Sequence, residues 1–223
     1  TTEIYTLSLH DALPIRRRLL EARGRRVRPG RDEKVLAAWN GLMLRSFAFA
    51  ARVLRREDYL RIARENAAFL LGRLLSPEGR LLRSYRDGRA RIAGYLEDYA
   101  MVADGLVSLY EATFETRWLR EAISLADAMD ELFWDESAGA FFDAPAGGEE
   151  LVTRPRDVYD NATPSGTSVA VDVLLRLALL LGREDYRRRA EAALEGLSGL
   201  LEQMPAAFGR LLGALDFHLG RPR

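Results

Sequence analysis

Residues 169–201 read VAVDVLLRLALLLGREDYRRRAEAALEGLSGLL, and this stretch predicts the fold of the whole chain. Its first part, Val169 to Leu181, is apolar almost all round, which is typical of a helix buried on every side. After the short link Gly182 to Glu184, the remainder is charged except for one stripe at three- and four-residue steps. The stripe consists of Tyr186, Ala190, Ala193, Leu194, Leu197 and Leu201. The stretch therefore predicts a hairpin of one buried and one amphipathic helix.

This hairpin recurs along the chain. The sequence Arg56-Glu57-Asp58-Tyr59 is repeated at residues 183–186, and a degenerate copy occupies Thr116 to Leu119. Gly79 and Gly139 lie 60 residues apart in equivalent turn-rich loops (139 − 79 = 60). Self-similarity at a fixed spacing is the signature of a repeat architecture. The unit is about sixty residues: helix, short turn, helix, long loop.

The helices of the repeat are of two kinds. Trp39 to Leu54 is apolar nearly all round, like Val169 to Leu181, and we expect both to be buried on all sides. Tyr59 to Leu75 and Trp118 to Trp134 are amphipathic. The pattern predicts an inner ring of buried helices and an outer ring of amphipathic ones. Because short links join antiparallel neighbours, all inner helices should run the same way and bring their N-termini to one mouth.

Long loops enter this mouth from the outer helices, at residues 76–94 and 135–163. Loops of this length inside a compact domain are usually functional. Within them, Leu81 to Tyr85 and Ala140 to Asp143 predict short β-hairpins. We count about seven helices, the last from Pro205 to Leu219. The predicted fold class is all-α: a partial (α/α)6 toroid of helix hairpins with short β-hairpins in the outer-to-inner loops. An open solenoid, the alternative, would have short loops on both faces.

Thr1 to Ile15 differ in character from the rest of the chain. They lack the charged n-region and the cleavage site of a signal peptide, and they resemble translated sequencing-adapter sequence. We therefore predict that residues 1–15 are not native and that residues 16–223 form the toroid domain; a short native strand is the alternative. His218 is then the only histidine of the domain, so we expect no multi-histidine metal site.

Composition excludes several functional classes. The formal net charge is zero and the chain has no cysteine, so we expect no nucleic-acid partner, no thiolate metal site and no cofactor. Nearly all basic residues are arginine, with Lys34 the only lysine, which we interpret as the coding bias of a GC-rich genome; we expect a bacterial protein. The longest apolar run is interrupted by Asp172 and Arg176 and is too short to span a bilayer. We expect a cytoplasmic protein without membrane contact.

Four blocks of sequence carry a resemblance to a known family. They are Asp32–Leu36 with Trp39–Met43; Tyr95–Ala100 with Asp104–Leu106 and Leu109–Phe114; Arg154–Pro155 with Asp160–Ala162 and Pro164–Ala170; and Ala214–Phe217. In order and spacing, over nearly all of residues 16–222, the chain resembles the thioredoxin-domain proteins related to spermatogenesis-associated protein 20. The resemblance implies an (α/α)6 toroid like those of sugar 2-epimerases and six-hairpin glycosidases.

The same resemblance implies that the chain is a fragment. An N-terminal thioredoxin-like domain, the first part of the toroid and its last helices would belong to the intact protein. Near position 218 these proteins usually have an aromatic residue, which argues against His218 as a catalytic base.

Candidate site residues lie at the predicted N-termini of three inner helices. They are Glu97 and Asp98, as candidate catalytic residues, and Trp39, Asn40, Tyr99, Asp160, Asn161 and Ser165, as candidate substrate-binding residues. Carboxylates and aromatic faces suit a sugar, whose hydroxyls donate to the acids while its ring stacks. Each residue also has a structural interpretation: the acids offset the helix dipole, Ser165 caps its helix, and the aromatic residues belong to the core.

Asp98 is the carboxylate that we expect to be most sensitive to substitution. It shares a helix side with Met101 and Gly105 and so should face the interior, where a carboxylate needs a partner. Asn40 and Asn161 are the expected structural partners, and a sugar hydroxyl is the functional alternative. Two functions remain open: a carbohydrate-binding or carbohydrate-processing cleft, or a non-catalytic scaffold for the thioredoxin-like domain or a partner protein. An open mouth favours the first, and a mouth plugged by its own loops favours the second.

Overall fold

The computed structural model describes residues 9–147 and 153–220, and of residues 9–12 only the backbone. The chain divides into two units, residues 1–33 and residues 34–223. In the first unit, helix α1 spans Leu9–Gly24 and its described side chains are exposed. This helix continues across the boundary at Ile15 that composition predicts. The origin of the first fifteen residues stays a prediction, and residues 1–8 lie outside the described part.

The described part of the second unit contains seven α-helices, the number that the repeat predicts. They are α2 (Ala37–Leu54), α3 (Glu57–Arg73), α4 (Leu96–Thr113), α5 (Thr116–Phe133), α6 (Gly166–Leu181), α7 (Glu184–Gln203) and α8 (Gly209–Leu219), with a 3-10 turn at Pro205–Ala207 before α8. The links after α2, α4 and α6 are two residues long and turn through a left-handed residue: Arg55, Phe114 or Gly182. This conformation commonly ends helices and makes the hairpins tight.

The helices form two layers. Helices α2, α4, α6 and α8 pack side by side in that order, while α3, α5 and α7 each pack on the helix that precedes them. This arrangement confirms the predicted inner and outer rings and the all-α fold. Within the inner layer, α4 is buried on nearly all sides and α6 is buried over most of its length.

Two burial predictions are wrong in part. At the C-terminal end of α6, Leu179, Leu180 and Leu181 are 52%, 45% and 38% exposed, although the sequence predicts burial on all sides. Helix α2 was expected to be buried on all sides, yet Trp39, Met43, Phe49 and Val53 are about half exposed, at 62%, 49%, 52% and 58%. The physical reason is the number of neighbours: α4 lies between two inner helices, whereas α2 has an inner helix, α4, on one side only among the described elements. An apolar sequence makes burial favourable, but a packing partner is needed to achieve it.

Short strands occupy the outer-to-inner loops, as predicted. Strands β2 (Leu82–Arg86) and β3 (Arg89–Ala93) form a hairpin around Asp87-Gly88, and β1 (Val35–Leu36), which immediately precedes α2, pairs antiparallel with β2. Strands β4 (Trp134–Asp135) and β5 (Ala140–Phe141) form a second pair. Because β1 continues into α2 and the hairpin continues into α4, the first sheet lies beside the N-termini of the inner helices.

Glycines set the close approach of the inner helices. A Cβ atom at Gly41 would lie 2.5 Å from the carbonyl carbon of Met101, so α2 and α4 are in backbone contact there. A Cβ atom at Gly166 would lie 2.9 Å from the backbone nitrogen of Glu97. The first turn of α6 therefore lies against the first turn of α4, and this contact positions the site described next.

Candidate functional site

Asp98 joins the N-termini of α2 and α4. Its Oδ1 accepts a hydrogen bond from the backbone N–H of Ala38 (3.0 Å) and its Oδ2 accepts from the backbone N–H of Tyr95 (2.9 Å). The Nη1 of Arg83 donates to the same Oδ2 (3.0 Å). The carboxylate is fully buried, and burial raises the pKa of Asp98 although these three donors oppose the shift. The predicted partners Asn40 and Asn161 are wrong, because backbone amides and an arginine take their place.

Asp160 performs the same task between α6 and α8. Its Oδ1 accepts from the backbone N–H of Ser165 (2.9 Å) and its Oδ2 from the backbone N–H of Arg210 (2.7 Å). The N-terminal turns of helices present unpaired N–H groups and a partial positive charge, which a carboxylate satisfies. Four inner helices thus begin at one mouth, and two aspartates join their starts in pairs.

Two further predicted residues have structural contacts. Tyr99 is buried, and its hydroxyl accepts from the backbone N–H of Leu81 (2.8 Å). Ser165 caps α6, because its Oγ accepts from the backbone N–H of Ser168 (3.1 Å). These contacts agree with the structural interpretation of both residues: Tyr99 belongs to the core, and Ser165 caps its helix.

Trp39 and Asn40 occupy the first turn of α2. The indole of Trp39 is 62% exposed. The Nδ2 of Asn40 donates to the carbonyl of Leu36 (2.8 Å), and the carbonyl of Asn40 accepts from the Nδ2 of Asn66 (2.9 Å). Neither side chain lines the cavity at the mouth.

A cavity of about 250 Å³ lies at the mouth, between the starts of α4 and α6. We call it the mouth cavity. Its walls are formed by Tyr95, Glu97, Asp143, Asp157, Tyr159, Asn161, Thr163, Pro164, Ser165 and Gly166. Of the eight predicted site residues, the structure brings three to this cavity: Glu97, Asn161 and Ser165.

Glu97 is held at the cavity wall by Arg83 of strand β2. The Nη1 of Arg83 donates to the Oε1 of Glu97 (2.7 Å) and also to Asp98, and its guanidinium lies 4.8 Å above the ring of Tyr95. One arginine therefore orients the carboxylate of Glu97 and the ring of Tyr95. The adjacent residues Glu97 and Asp98 have different environments: the first lines the cavity, and the second is enclosed between the helix starts.

Asp143, which the sequence did not single out as a site residue, lies in the cavity wall, in the loop after β5. Its N–H donates to the carbonyl of Pro155 (2.9 Å), its carbonyl accepts from the N–H of Leu96 (3.0 Å), and its Oδ2 accepts from the N–H of Asp157 (2.7 Å). Burial, reinforced by the charges of Asp157 and Glu97, raises the pKa of Asp143. The cavity therefore disfavours negative charge on this carboxyl group.

Tyr159 and Asp157 complete this wall. The backbone N–H of Tyr159 donates to the Oδ1 of Asp157 (3.1 Å), and the Tyr159 ring lies against Phe208, with ring centroids 5.3 Å apart. Tyr95 and Tyr159 are 40% and 37% exposed, so the mouth cavity is accessible as far as the described residues, 9–147 and 153–220, form it. Sequence reasoning missed these residues because their loop has no periodicity.

A charged network lies among the inner helices, away from the cavity walls. The buried carboxylate of Asp104 contacts Arg45 (3.0 Å), Arg176 (2.6 Å) and Arg210 (2.8 Å), and Arg210 also donates to Asp172 (2.6 Å). These residues come from α2, α4, α6 and α8, so the network links all four inner helices. Breaking one such buried pair leaves an uncompensated charge, which favours a structural role for the network.

A second cavity, of about 430 Å³, lies near the C-termini of α6 and α8, with Leu175, Phe217 and His218 among its walls. Among the described residues of its wall, the one acidic residue is Glu184, whose carboxylate pairs with Arg187. In residues 9–147 and 153–220 no group of three or more His, Cys, Asp or Glu side chains could hold a metal ion. No helix in these ranges has both the length and the apolarity needed to cross a membrane.

Comparison with known proteins supplies relatives and fold neighbours. No family model matches the sequence. The chain is 36% identical over 209 residues to human spermatogenesis-associated protein 20 and 38% identical over 209 residues to its rat counterpart, with 89% of this chain aligned in both cases. The aligned regions make up 27% and 26% of those proteins, so the chain spans about a quarter of the length of these relatives.

Three solved structures illustrate the fold. Cellobiose 2-epimerase from Bacillus thermoamylovorans matches with a TM-score of 0.62 at 16% identity, over 75% of this chain and 45% of the epimerase. A family 76 glycoside hydrolase (mannosidase) from Bacteroides thetaiotaomicron matches with a TM-score of 0.59 at 18% identity, over 73% of this chain and 44% of the hydrolase. The third structure is an inactive variant of an α-1,6-mannanase of Salegentibacter, in which two consecutive aspartates are replaced by asparagine, in complex with α-1,6-mannotriose. It matches with a TM-score of 0.51 at 19% identity, over 71% of this chain and 45% of the mannanase. At these identities the matches establish the partial (α/α)6 toroid alone.

Proposed function

Because the chain is homologous to part of spermatogenesis-associated protein 20 and has the fold of sugar epimerases and family 76 glycoside hydrolases, we propose that its mouth cavity binds a carbohydrate. The observation that carries the proposal is the composition of one accessible cavity. Glu97, Asp143 and Asp157 supply acceptors for sugar hydroxyls, and Tyr95 and Tyr159 supply aromatic surface for the C–H face of the ring. A volume of about 250 Å³ suits a single sugar unit.

The available side chains favour glycoside chemistry over epimerisation. Glycoside hydrolysis uses two carboxyl groups, of which one is protonated, and Glu97 and Asp143 face the same cavity. Epimerisation uses a base such as histidine. Among the side chains that the structure describes, the one histidine is His218, which lies near the opposite ends of the inner helices.

Glu97 and Asp98 divide the roles that the sequence assigned to them jointly. The Salegentibacter mannanase loses activity when two consecutive aspartates are changed, and this chain has two consecutive acids at the start of α4. Here both oxygens of Asp98 accept hydrogen bonds from the protein. We therefore assign Glu97 to the ligand, together with Asn161 on the cavity wall, and Asp98, Asp160 and the helix cap Ser165 to the positioning of the helix starts.

The accessible, polar cavity favours this proposal over a non-catalytic scaffold, whose mouth would be filled by its own loops. We extend the proposal to the intact protein: a cytoplasmic bacterial protein in which a thioredoxin-like domain and further helix pairs accompany this segment. Its relatives are about four times as long as the segment they share with it, which leaves room for such parts.

Replacement of Glu97 by glutamine tests the proposal. The probes are methyl glycosides of glucose and mannose, together with α-1,6-mannotriose, and binding is followed by ligand-observed NMR and calorimetry. We expect Glu97→Gln to weaken binding about tenfold, because the amide keeps the shape but loses the charge-assisted acceptor; the unfolding midpoint should change little, because Asp98 still holds Arg83. Glu202→Gln, on the exposed side of α7, is the matched control. The proposal fails if the unaltered chain binds none of these sugars, or if the Glu97 variant binds them equally well.

A further inference from the structure

We infer that Ile92 is a positioning residue of the mouth cavity: its left-handed backbone clears the place beside Arg83 for the ring of Tyr95, so that Arg83 can hold Glu97 at the cavity wall. The inference rests on the proposed carbohydrate function and extends it to a residue that is not itself part of the wall. It is carried by one backbone angle, by the register of the β2–β3 hairpin and by the contacts of Arg83.

Ile92 has a backbone conformation that its side chain disfavours. It lies in strand β3, outside the turn, and its φ is 65°. The turn residues Asp87 and Gly88 also have positive φ angles, but a two-residue hairpin turn of this kind requires them. For a β-branched residue this conformation is a genuine outlier, and such strain persists only where the surrounding structure imposes it. Ile92 is 60% exposed, so burial of its side chain does not compensate the strain.

The register of the hairpin shows what the left-handed conformation changes. Strands β2 and β3 pair on both sides of this position, but the ladder skips the position itself, where Arg83 lies opposite Ile92. Residues opposite each other share a sheet face, so an extended Ile92 would lie beside Arg83. Ile92 instead lines a cavity of about 290 Å³ together with Ser84, Arg86 and Arg91, which belong to the other face because side chains alternate along a strand. The left-handed residue therefore turns Ile92 away from Arg83.

Tyr95 occupies the neighbourhood of Arg83 that Ile92 leaves. The guanidinium of Arg83 lies 4.8 Å from the centre of the Tyr95 ring, and its Nη1 donates to the Oε1 of Glu97 (2.7 Å). The guanidinium is thereby held by an aromatic face and a carboxylate, both of which attract a cation. With an extended backbone, the side chain of Ile92 would lie on the same face as this stack and compete with Tyr95 for Arg83.

The link from β3 to α4 transmits the conformation of Ile92 to the site. Tyr95 is the third residue after Ile92. Between them, the N–H of Gly94 donates to the carbonyl of Leu81 (2.8 Å), and a Cβ atom at Gly94 would lie 2.8 Å from the same carbonyl oxygen. This close contact leaves the link little freedom to absorb a change at Ile92, so Tyr95 and the first turn of α4 must respond to it.

Proline and asparagine at position 92 separate the effect of the backbone from that of the side chain. Proline fixes φ near about −65° and cannot adopt the left-handed conformation, and β3 is at the edge of the described sheet, where proline is tolerated. Asparagine also removes the isoleucine side chain but adopts this conformation readily. The probes are the methyl glycosides of glucose and mannose, titrated by calorimetry well below the unfolding midpoint. We expect Ile92→Pro to weaken binding about tenfold and Ile92→Asn to bind like the unaltered chain.

Two readouts do not depend on the sugar. Ile92→Asn should raise the unfolding midpoint by about 3 °C, because it relieves the strain without changing the fold. Arg55→Asn is the matched control: it replaces another left-handed residue, at the opposite end of α2, and should raise the midpoint similarly without any effect on binding. In NMR spectra, the ring-current shift that Tyr95 imposes on the side-chain protons of Arg83 should persist in Ile92→Asn and disappear in Ile92→Pro.

The outcomes separate this inference from the proposed function. If the unaltered chain binds no sugar, the proposed function fails, and the inference then depends on the position of Arg83 and Tyr95, which the ring-current shift reports. The inference alone is overturned if that shift survives in a folded Ile92→Pro, if the proline and asparagine variants bind the sugars equally, or if Ile92→Asn does not raise the midpoint. Should the proline variant not fold, the asparagine variant decides, because a loss of binding there would assign the effect to the side chain and not to the backbone.

Discussion

Helix α2 has two apolar faces, and the described residues of its own unit cover only one of them. The covered face carries Gly41, Leu44, Ala48 and Ala51, each at most 6% exposed or in backbone contact with α4. The other face carries Trp39, Met43, Phe49 and Val53, each about half exposed. The exposed face carries the larger apolar side chains, so hydrophobicity alone does not decide which face is buried; the presence of α4 on one face does. In a helix array, burial is a property of an interface between two helices and not of one helix sequence.

The covered face should be the more sensitive one by a wide margin. In Gly41→Ala the new methyl group would lie 2.5 Å from the carbonyl carbon of Met101 and 2.6 Å from the nitrogen of Val102, and backbone atoms cannot move aside as a side chain can. We expect a loss of about 3 kcal/mol in the free energy of unfolding, even though alanine is the better helix former. Chemical denaturation monitored by circular dichroism measures this loss.

Gly213→Ala is the matched control, in helix α8. A Cβ atom there would have nothing within 4 Å, so the change removes only the conformational freedom of glycine. We expect a gain of up to about 1 kcal/mol. A loss of stability for Gly41→Ala together with a gain for Gly213→Ala would sharpen the comparison. Equal changes in stability for the two variants would show that the α2–α4 contact is looser in solution than in the structure.

The covered face is also fixed by a polar contact, which Asp98→Asn should break. The asparagine amide cannot accept from both Ala38 and Tyr95, so one N–H at the start of α2 or α4 loses its partner. We expect a loss of about 2 kcal/mol in stability, with sugar binding at the mouth cavity little changed. If instead the variant binds sugar more weakly at unchanged stability, Asp98 contacts the ligand and its assignment as a positioning residue is wrong.

The pH dependence of that loss follows from the raised pKa of Asp98. A carboxyl group whose pKa is higher in the folded than in the unfolded state contributes its full stabilisation at pH values below its pKa in the unfolded state. This stabilisation is lost as the pH rises through its pKa in the folded state. The difference in stability between the unaltered chain and Asp98→Asn should therefore be at least as large at about pH 4 as at about pH 7.

The sequence predicted most of the fold because its signals are local and repeated. The three- and four-residue stripe of α7 and the recurrence of Arg-Glu-Asp-Tyr at residues 56 and 183 identify hairpins without any tertiary information. The exposed face of α2 was missed for the opposite reason. Trp39 and Met43 are as apolar as the residues of α4, and the absence of a neighbour leaves no trace in local sequence.

The site was predicted less well, because its geometry depends on loops. Glu97 could be placed at the mouth from the sequence, since it lies in the first turn of α4. Asp143 and Asp157 reach the cavity through a hydrogen bond between two loop segments fourteen positions apart, and no spacing rule predicts that bond. Asp98 was placed correctly in the interior, but its partners are backbone amides, which every residue possesses and which no motif can therefore reveal.

Substitutions on the exposed face of α2 should hardly change the free energy of unfolding and should affect mainly the self-association of the chain. Met43 is 49% exposed and its neighbour Leu44 is fully buried, so glutamine at the two positions compares the two faces within one turn. We expect Met43→Gln to change the free energy of unfolding by less than about 0.5 kcal/mol, and Leu44→Gln to cost about 3 kcal/mol or more. Because exposed apolar surface promotes association, Met43→Gln should also lower the self-association of the chain in light scattering. A loss above about 1 kcal/mol for Met43→Gln that grows with protein concentration would mean that another molecule covers this face in solution, and the contrast between the two faces of α2 would then be a property of the isolated chain only.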